Sequence, residues 1–111
     1  MKTRLIEVPK DKEAEYALDY NEATEDQLIR IYLTSPEFIE LWNIGFFNEL
    51  NEMTGAMIDD FEDAKIVEKE DLENILDSDV FNMPVSNDIL DRLKVLFQEA
   101  LERGTGVYFF F

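Results

Sequence analysis

The run Asp59-Asp60-Phe61-Glu62-Asp63 is the densest group of chemically capable side chains in this chain. Oxygen-rich runs of that kind suit hard cations such as Ca²⁺ and Mg²⁺. The spacing argues against it. As a calcium loop starting at Asp59, the run offers Asp63 at position 5 and Glu70 at position 12, but Phe61 falls at position 3 and Ala64 at position 6, where the turn needs glycine. A loop starting at Asp77 has Asp79 at position 3, but Phe81 at 5 and Asn82 at 6. No bound metal is expected.

Other chemistry is restricted by what is missing. The chain has no histidine and no cysteine, which removes Ser-His-Asp and Cys-His nucleophiles and the usual zinc sites. Its glycines stand at 45, 55, 104 and 106, without the spacing of a phosphate-binding or dinucleotide loop. A glycosidase-like pair of acids remains open, but with 26 acids any pairing is easy to propose. The expectation is a non-catalytic protein with no cofactor.

Charge says more. There are 26 acids against 10 bases, for a net charge of −16 on 111 residues. Such a field repels nucleic acid and anionic lipid and attracts cationic surfaces. Residues 59–80 alone carry ten acids against Lys65 and Lys69, a net −8, which is half of the total. The expected partner is a basic protein, with no direct contact to nucleic acid or membrane. The plainer alternative is that the acids only keep the surface soluble.

A disordered acidic tail would be poor in apolar residues. Here 46% of residues are hydrophobic and 13% aromatic, including nine Phe, four Tyr and Trp42, so a core is expected. Residues 1–111 fit a single compact domain. After Met1-Lys2-Thr3-Arg4 only Leu5 and Ile6 precede Glu7 and Pro9, which is no secretory apolar region. No apolar run approaches the roughly 20 residues that span a bilayer. A cytoplasmic location follows as the expectation, and the lack of cysteine agrees with a reducing compartment.

The elements that must position these acids read as an α+β fold, with about four helices on a small sheet that includes the N- and C-terminal strands. Thr3–Val8, closed by Pro9, reads as a strand near a sheet edge. Alternation of Tyr16, Leu18 and Tyr20 allows a second short strand. Thr24 and Gln27 form a capping box, which predicts a helix over 25–33. Ser35 caps the next helix, Pro36–Glu52, with Pro36 in its first turn.

On that helix Phe38, Ile39, Trp42, Phe46 and Leu50 form one apolar arc, while Leu41, Ile44 and Phe47 fall on another side. Two apolar sides mean burial on both, or else an exposed contact patch at Leu41, Ile44 and Phe47. Glu49 projects into the first arc, where desolvation would raise its pKa unless it swings out to water. Gly55 ends the helix in a left-handed cap.

Ala56–Val67 reads as two strand-like pieces, 56–61 and 64–68, or as one irregular strand with a bend, with Ile58, Phe61 and Ile66 anchored inward. A short helix follows over Glu70–Leu76, then a loop over Asp77–Val85. Ser86 caps a long helix over 87–103 with Asp88–Arg92 and Glu99–Arg103 as i,i+4 pairs, and Gly104 closes it. Val107–Phe111 is a final strand, apolar on both faces. It is either central and covered on both sides, or left with one face for a partner.

In layout the chain resembles the small acidic immunity proteins of bacterial toxin–immunity systems, among them those of contact-dependent inhibition and polymorphic toxins. The resemblance rests on size, acidity, lack of an export signal, the stretch Gly55–Asp63 (GAMIDDFED) and an α+β alternation ending in an aromatic strand. It implies a protein that inhibits a cognate toxin, a nuclease or another toxin, inside the producing cell. Independently of it, the candidate binding face is Asp59, Asp60, Glu62, Asp63, Glu68, Glu70, Asp71 and Glu73, eight acids in 15 residues. Two other classes fit the same composition. A DNA mimic would set these acids at phosphate spacing, and an adaptor or regulatory domain would use an apolar patch.

Overall fold

In the computed structural model, which describes residues 4–111, four antiparallel strands form one sheet in the order β2-β1-β4-β3. The strands are β1 (Arg4–Pro9), β2 (Leu28–Leu33), β3 (Asp63–Ile66) and β4 (Val107–Phe110). Five helices accompany them: α1 (Lys12–Asp19), α2 (Ser35–Asn43), α3 (Phe46–Thr54), α4 (Lys69–Asp77) and α5 (Ile89–Arg103). The α+β class and the inclusion of both terminal strands agree with the sequence reading, while the helices number five.

β1 is an interior strand, not an edge, because both of its sides are paired: to β2 from Arg4↔Leu33 to Pro9↔Leu28, and to β4 from Leu5↔Phe110 to Glu7↔Tyr108. Pro9 is tolerated there because it stands at the strand's last position, where its carbonyl accepts from Thr105 Oγ1 at 2.8 Å. Thr3 of the expected strand lies outside the described residues.

Three segments differ from their sequence pattern. Residues 12–19 are helical, since the Asp11 carboxylate caps the Ala14 amide at 2.8 Å and Glu13 and Glu15 lie in the first turn. The alternation of Tyr16 and Tyr20 is their i,i+4 spacing, with ring centroids 4.7 Å apart. The Thr24–Gln27 box is present, but it closes a single 3₁₀ turn over Glu25–Gln27. Leu28 then goes extended, and Leu28–Leu33 is β2, where Ile29, Ile31 and Tyr32 favour the pleat. The predicted Pro36–Glu52 helix is two. Gly45, at φ +86°, breaks it between α2 and α3, a backbone that side chains resist.

That break turns both apolar sides inward. Phe38 and Leu41 from α2, and Phe46, Phe47 and Leu50 from α3, are all buried, with Ile44 half-buried against them. Leu41 and Phe47 are therefore core, and Ile39 is the exposed member of the first arc. Glu49 does swing out to solvent. The cap of α2 is Thr34 rather than Ser35, forming a reciprocal box with Glu37. Likewise α5 begins at Ile89 rather than 87, with the Asn87 side chain accepting the Ile89 amide at 2.9 Å. Gly55 and Gly104 end α3 and α5 in left-handed caps.

The sheet has two unlike faces. Ile6, Val8, Ile66, Val107 and Phe109 turn to the core, where helices α2 to α5 cover them with Leu93, Leu96 and Phe97 among others. Phe111 packs edge-on against Phe38 and Phe47, with both ring pairs at 5.2 Å. On the other face the register sets one row of Arg30, Glu7, Tyr108 and Lys65, and beside it a row of Tyr32, Leu5, Phe110 and Asp63. α1 covers part of the first row: the Tyr108 hydroxyl donates to Glu15 at 3.0 Å and reaches Asp19 at 3.5 Å. Burial and those two acids push the Tyr108 phenol well above the ordinary tyrosine range. β4 is thus central and its aromatic run is mostly buried. Among the described residues no helix is long and apolar enough to cross a membrane.

Candidate functional site

Between α3 and β3 the chain neither coils nor pairs regularly. Asn51 on α3 holds this segment: its amide donates to the Ile58 carbonyl at 3.0 Å and its oxygen accepts the Ile58 amide at 2.8 Å. A side chain thereby supplies the backbone bonds that a strand partner would have given, which is why 56–61 is not a strand. Ile58 is buried as expected, and so is Ile66. Phe61 is not an inward anchor. It sits at φ +64° and 81% exposed, on a turn whose geometry is set by the Phe61 amide donating to Phe111 and the Phe111 amide donating to Glu62. The turn, rather than the side chain, decides where Phe61 points.

The structure distributes the eight sequence-selected acids over different tasks. Asp60 is held by Arg4 through two bonds of 3.1 and 3.2 Å, and the same guanidinium lies 4.1 Å over the Phe38 ring. That ties the acidic turn to β1. Glu68 is the N-cap residue of α4, and Glu70 and Asp71 occupy its first turn, where negative charge interacts favourably with the helix dipole. Glu73 follows on the exposed side of the same helix. Asp59, Glu62 and Asp63 are the ones brought together.

These three line one open hollow of 610 Å³, with Trp42, Asn48, Asn51, Ala56, Met57 and Ile58. Trp42 stacks on Phe38 at 6.0 Å and is held in place by the core behind it. Met57 stands 82% exposed on the rim. All three acids are exposed, and none of them makes an ion pair among the described residues. Asp63 also lines a second hollow of 360 Å³ on the far face of the sheet, with Leu18, Asp19, Tyr108 and Phe110. Lys65, the nearest base in sequence, is turned to that far face, 3.7 Å from Asp19 and 5.7 Å from the Tyr108 ring centroid.

The arrangement offers carboxylates and carboxamides beside an indole and a thioether. Those groups accept hydrogen bonds from ammonium or guanidinium and cover the aliphatic stems of such side chains. Among the described residues no three acids are grouped so as to hold a metal ion. Asp19, Met57 and Trp42 were not singled out as site residues by sequence reasoning. Only the tertiary arrangement, with α1 lying across the sheet, carries that information. Searches with the chain match no protein-family model, no curated protein and no solved structure.

Proposed function

We propose that this chain is a non-catalytic acidic binding protein that neutralises a basic protein partner, working in the bacterial cytoplasm as an immunity protein against a cognate toxin. One observation carries the reading: Asp59, Glu62 and Asp63 line an open hollow at the end of a sheet edge, and none of the three makes an ion pair among the described residues. Acids placed so raise the rate at which a cationic surface finds the hollow, because the unscreened field steers the encounter. Trp42 and Met57 add apolar area to its lining, the kind of contact that slows dissociation.

The test is capture of a basic protein from the native organism, followed by association kinetics at several salt concentrations. Reversing Asp59, Glu62 and Asp63 to Lys should slow association by about tenfold or more and flatten its salt dependence, because steering is screened within about 10 Å at 0.1 M salt. Asp60 is left in place so that the Arg4 pair and the fold are kept. Unchanged association in the triple variant would overturn this site. Turnover of a substrate by the purified chain, abolished by the same changes, would overturn the non-catalytic reading.

A further inference from the structure

We infer that the outer edge of β3 receives an extended cationic segment of the partner protein as a fifth strand of the sheet. This rests on the acidic-inhibitor reading and specifies how the partner is held. β3 is paired to β4 through Asp63↔Phe110, Ala64↔Phe109, Lys65↔Tyr108 and Ile66↔Val107. The Phe111 amide donates to Glu62, so bonded positions alternate from there through Ala64 and Ile66. Asp63 and Lys65 consequently turn their backbone N–H and C=O away from β4, and among the described residues no other backbone group bonds them. Such an edge is a template for another strand.

The sheet has a second edge, β2, and charge separates the two. On β2, Arg30 stands in the cross-strand row and is committed to Glu7 and Glu25. The β3 edge is flanked on one face by Asp59 and Glu62, which make no ion pair among the described residues, and on the other by Asp19, which Lys65 meets at 3.7 Å, with Asp63 between both hollows. Successive side chains of an added strand would enter the two hollows in turn; the first sets Asp59, Glu62 and Asp63 beside Trp42 and Met57, and the second sets Asp63 beside Leu18 and Phe110, with the Lys65–Asp19 pair on its wall. A segment mixing Lys or Arg with apolar residues fits that. A second copy of this chain does not, because it would bring the same acids against these.

A labelled peptide of alternating Arg and Val is the probe, compared with the same peptide N-methylated on every backbone nitrogen so that neither edge can donate. Fluorescence anisotropy should show the parent peptide binding the intact chain about tenfold more tightly or better, from the loss of two or so edge hydrogen bonds. Hydrogen exchange at the Asp63 and Lys65 amides should slow on binding. Lys65→Pro removes an outward donor while sparing the β4 ladder, and should give a similar loss if circular dichroism shows it folded. Equal binding of both peptides with unchanged exchange would overturn strand addition and leave the acidic-inhibitor reading standing. Failure of both peptides to bind would overturn strand addition and the acidic-inhibitor reading together. Dimerisation of the free chain that protects the same amides would assign the edge to a second copy and overturn the inference.

Discussion

Replacing Arg30 by Met should destabilise the fold by about 3 kcal/mol, because it strips a buried carboxylate of its partner. Glu7 sits in the middle of β1, 5% exposed at its side chain, and takes bonds of 2.6 and 2.9 Å from the Arg30 guanidinium across the strand pair. Burial works against the Arg30 charge, but the bonds to Tyr32 and Glu7 outweigh it and hold the guanidinium more firmly protonated than usual. Breaking a fully buried pair costs about 3–5 kcal/mol, and the lower end applies because the Arg30 side chain is 23% exposed. Urea unfolding followed through Trp42, the single tryptophan, should show the midpoint falling by about 2 M for an m-value of about 1.5 kcal/mol/M. The double variant Glu7→Met, Arg30→Met removes both charges and should lie within about 1 kcal/mol of the parent, since well-packed apolar replacements of buried pairs are often neutral. If R30M unfolds like the parent, or if the double variant is as weak as the single, the pair does not organise this face of the sheet.

Two further outcomes are expected. Burial opposes the Glu37 charge, but the Thr34 amide and hydroxyl and the Arg92 guanidinium hold its carboxyl below the ordinary 4.5. A lowered folded-state value gives stability that is complete above 4.5 and fades as pH falls through the lowered value. Glu37→Gln should therefore cost about 1 kcal/mol at neutral pH and nothing in acid, measured by thermal unfolding across that range. Gly45→Ala meets no atom within 4 Å but keeps φ at +86°, whereas the Cβ of Gly106→Ala would lie 2.8 Å from the Ile66 carbonyl and 2.6 Å from Val67. The first should cost about 1 kcal/mol through backbone strain alone, and the second more, by calorimetry. The reverse order would contradict this reading of the two turns.

Periodicity made α4 and α5 legible, because both bury one clean stripe: Leu72 and Ile75 in the first, and Leu90, Leu93, Phe97 and Ala100 in the second. β4 was legible from its aromatic run. What failed were short segments where two signals conflict. Leu28–Leu33 carries a capping box in front and apolar residues at helix-compatible spacing, yet its six residues gain more from pairing all along β1 than from one helical turn and a half. In the same way the Asp11 cap outweighs the alternation that follows it. Gly45 was read as part of a long helix because glycine inside a helical pattern is tolerated in sequence. Its left-handed φ appears only when Phe46 and Phe47 must both reach the core. The acidic segment was legible as charge but not as a site, since one-dimensional clustering cannot separate acids that hold the fold from acids that face a hollow.

That separation carries the functional argument further than the total charge does. Glu7, Asp60, Asp88 and Glu99 are matched to arginines. Asp11 and Glu37 cap helices, and Glu40 accepts from both the Ser86 amide and hydroxyl. Glu70 and Asp71 sit at a favourable helix end. These acids would be present in a fold with no partner at all. Among the described residues the Asp59 carboxylate keeps only the bond from its neighbour's amide at 2.7 Å, and Glu62 and Asp63 line the same hollow without a countercharge. Like charges around one hollow destabilise the compact state slightly, and no ion pair among the described residues offsets them. Under the proposed function the offset comes from outside: the cation that neutralises these three carboxylates belongs to the bound protein. Association should then raise thermal stability more in the parent chain than in a variant with Asp59, Glu62 and Asp63 changed to their amides, even though that variant is the more stable of the two when free.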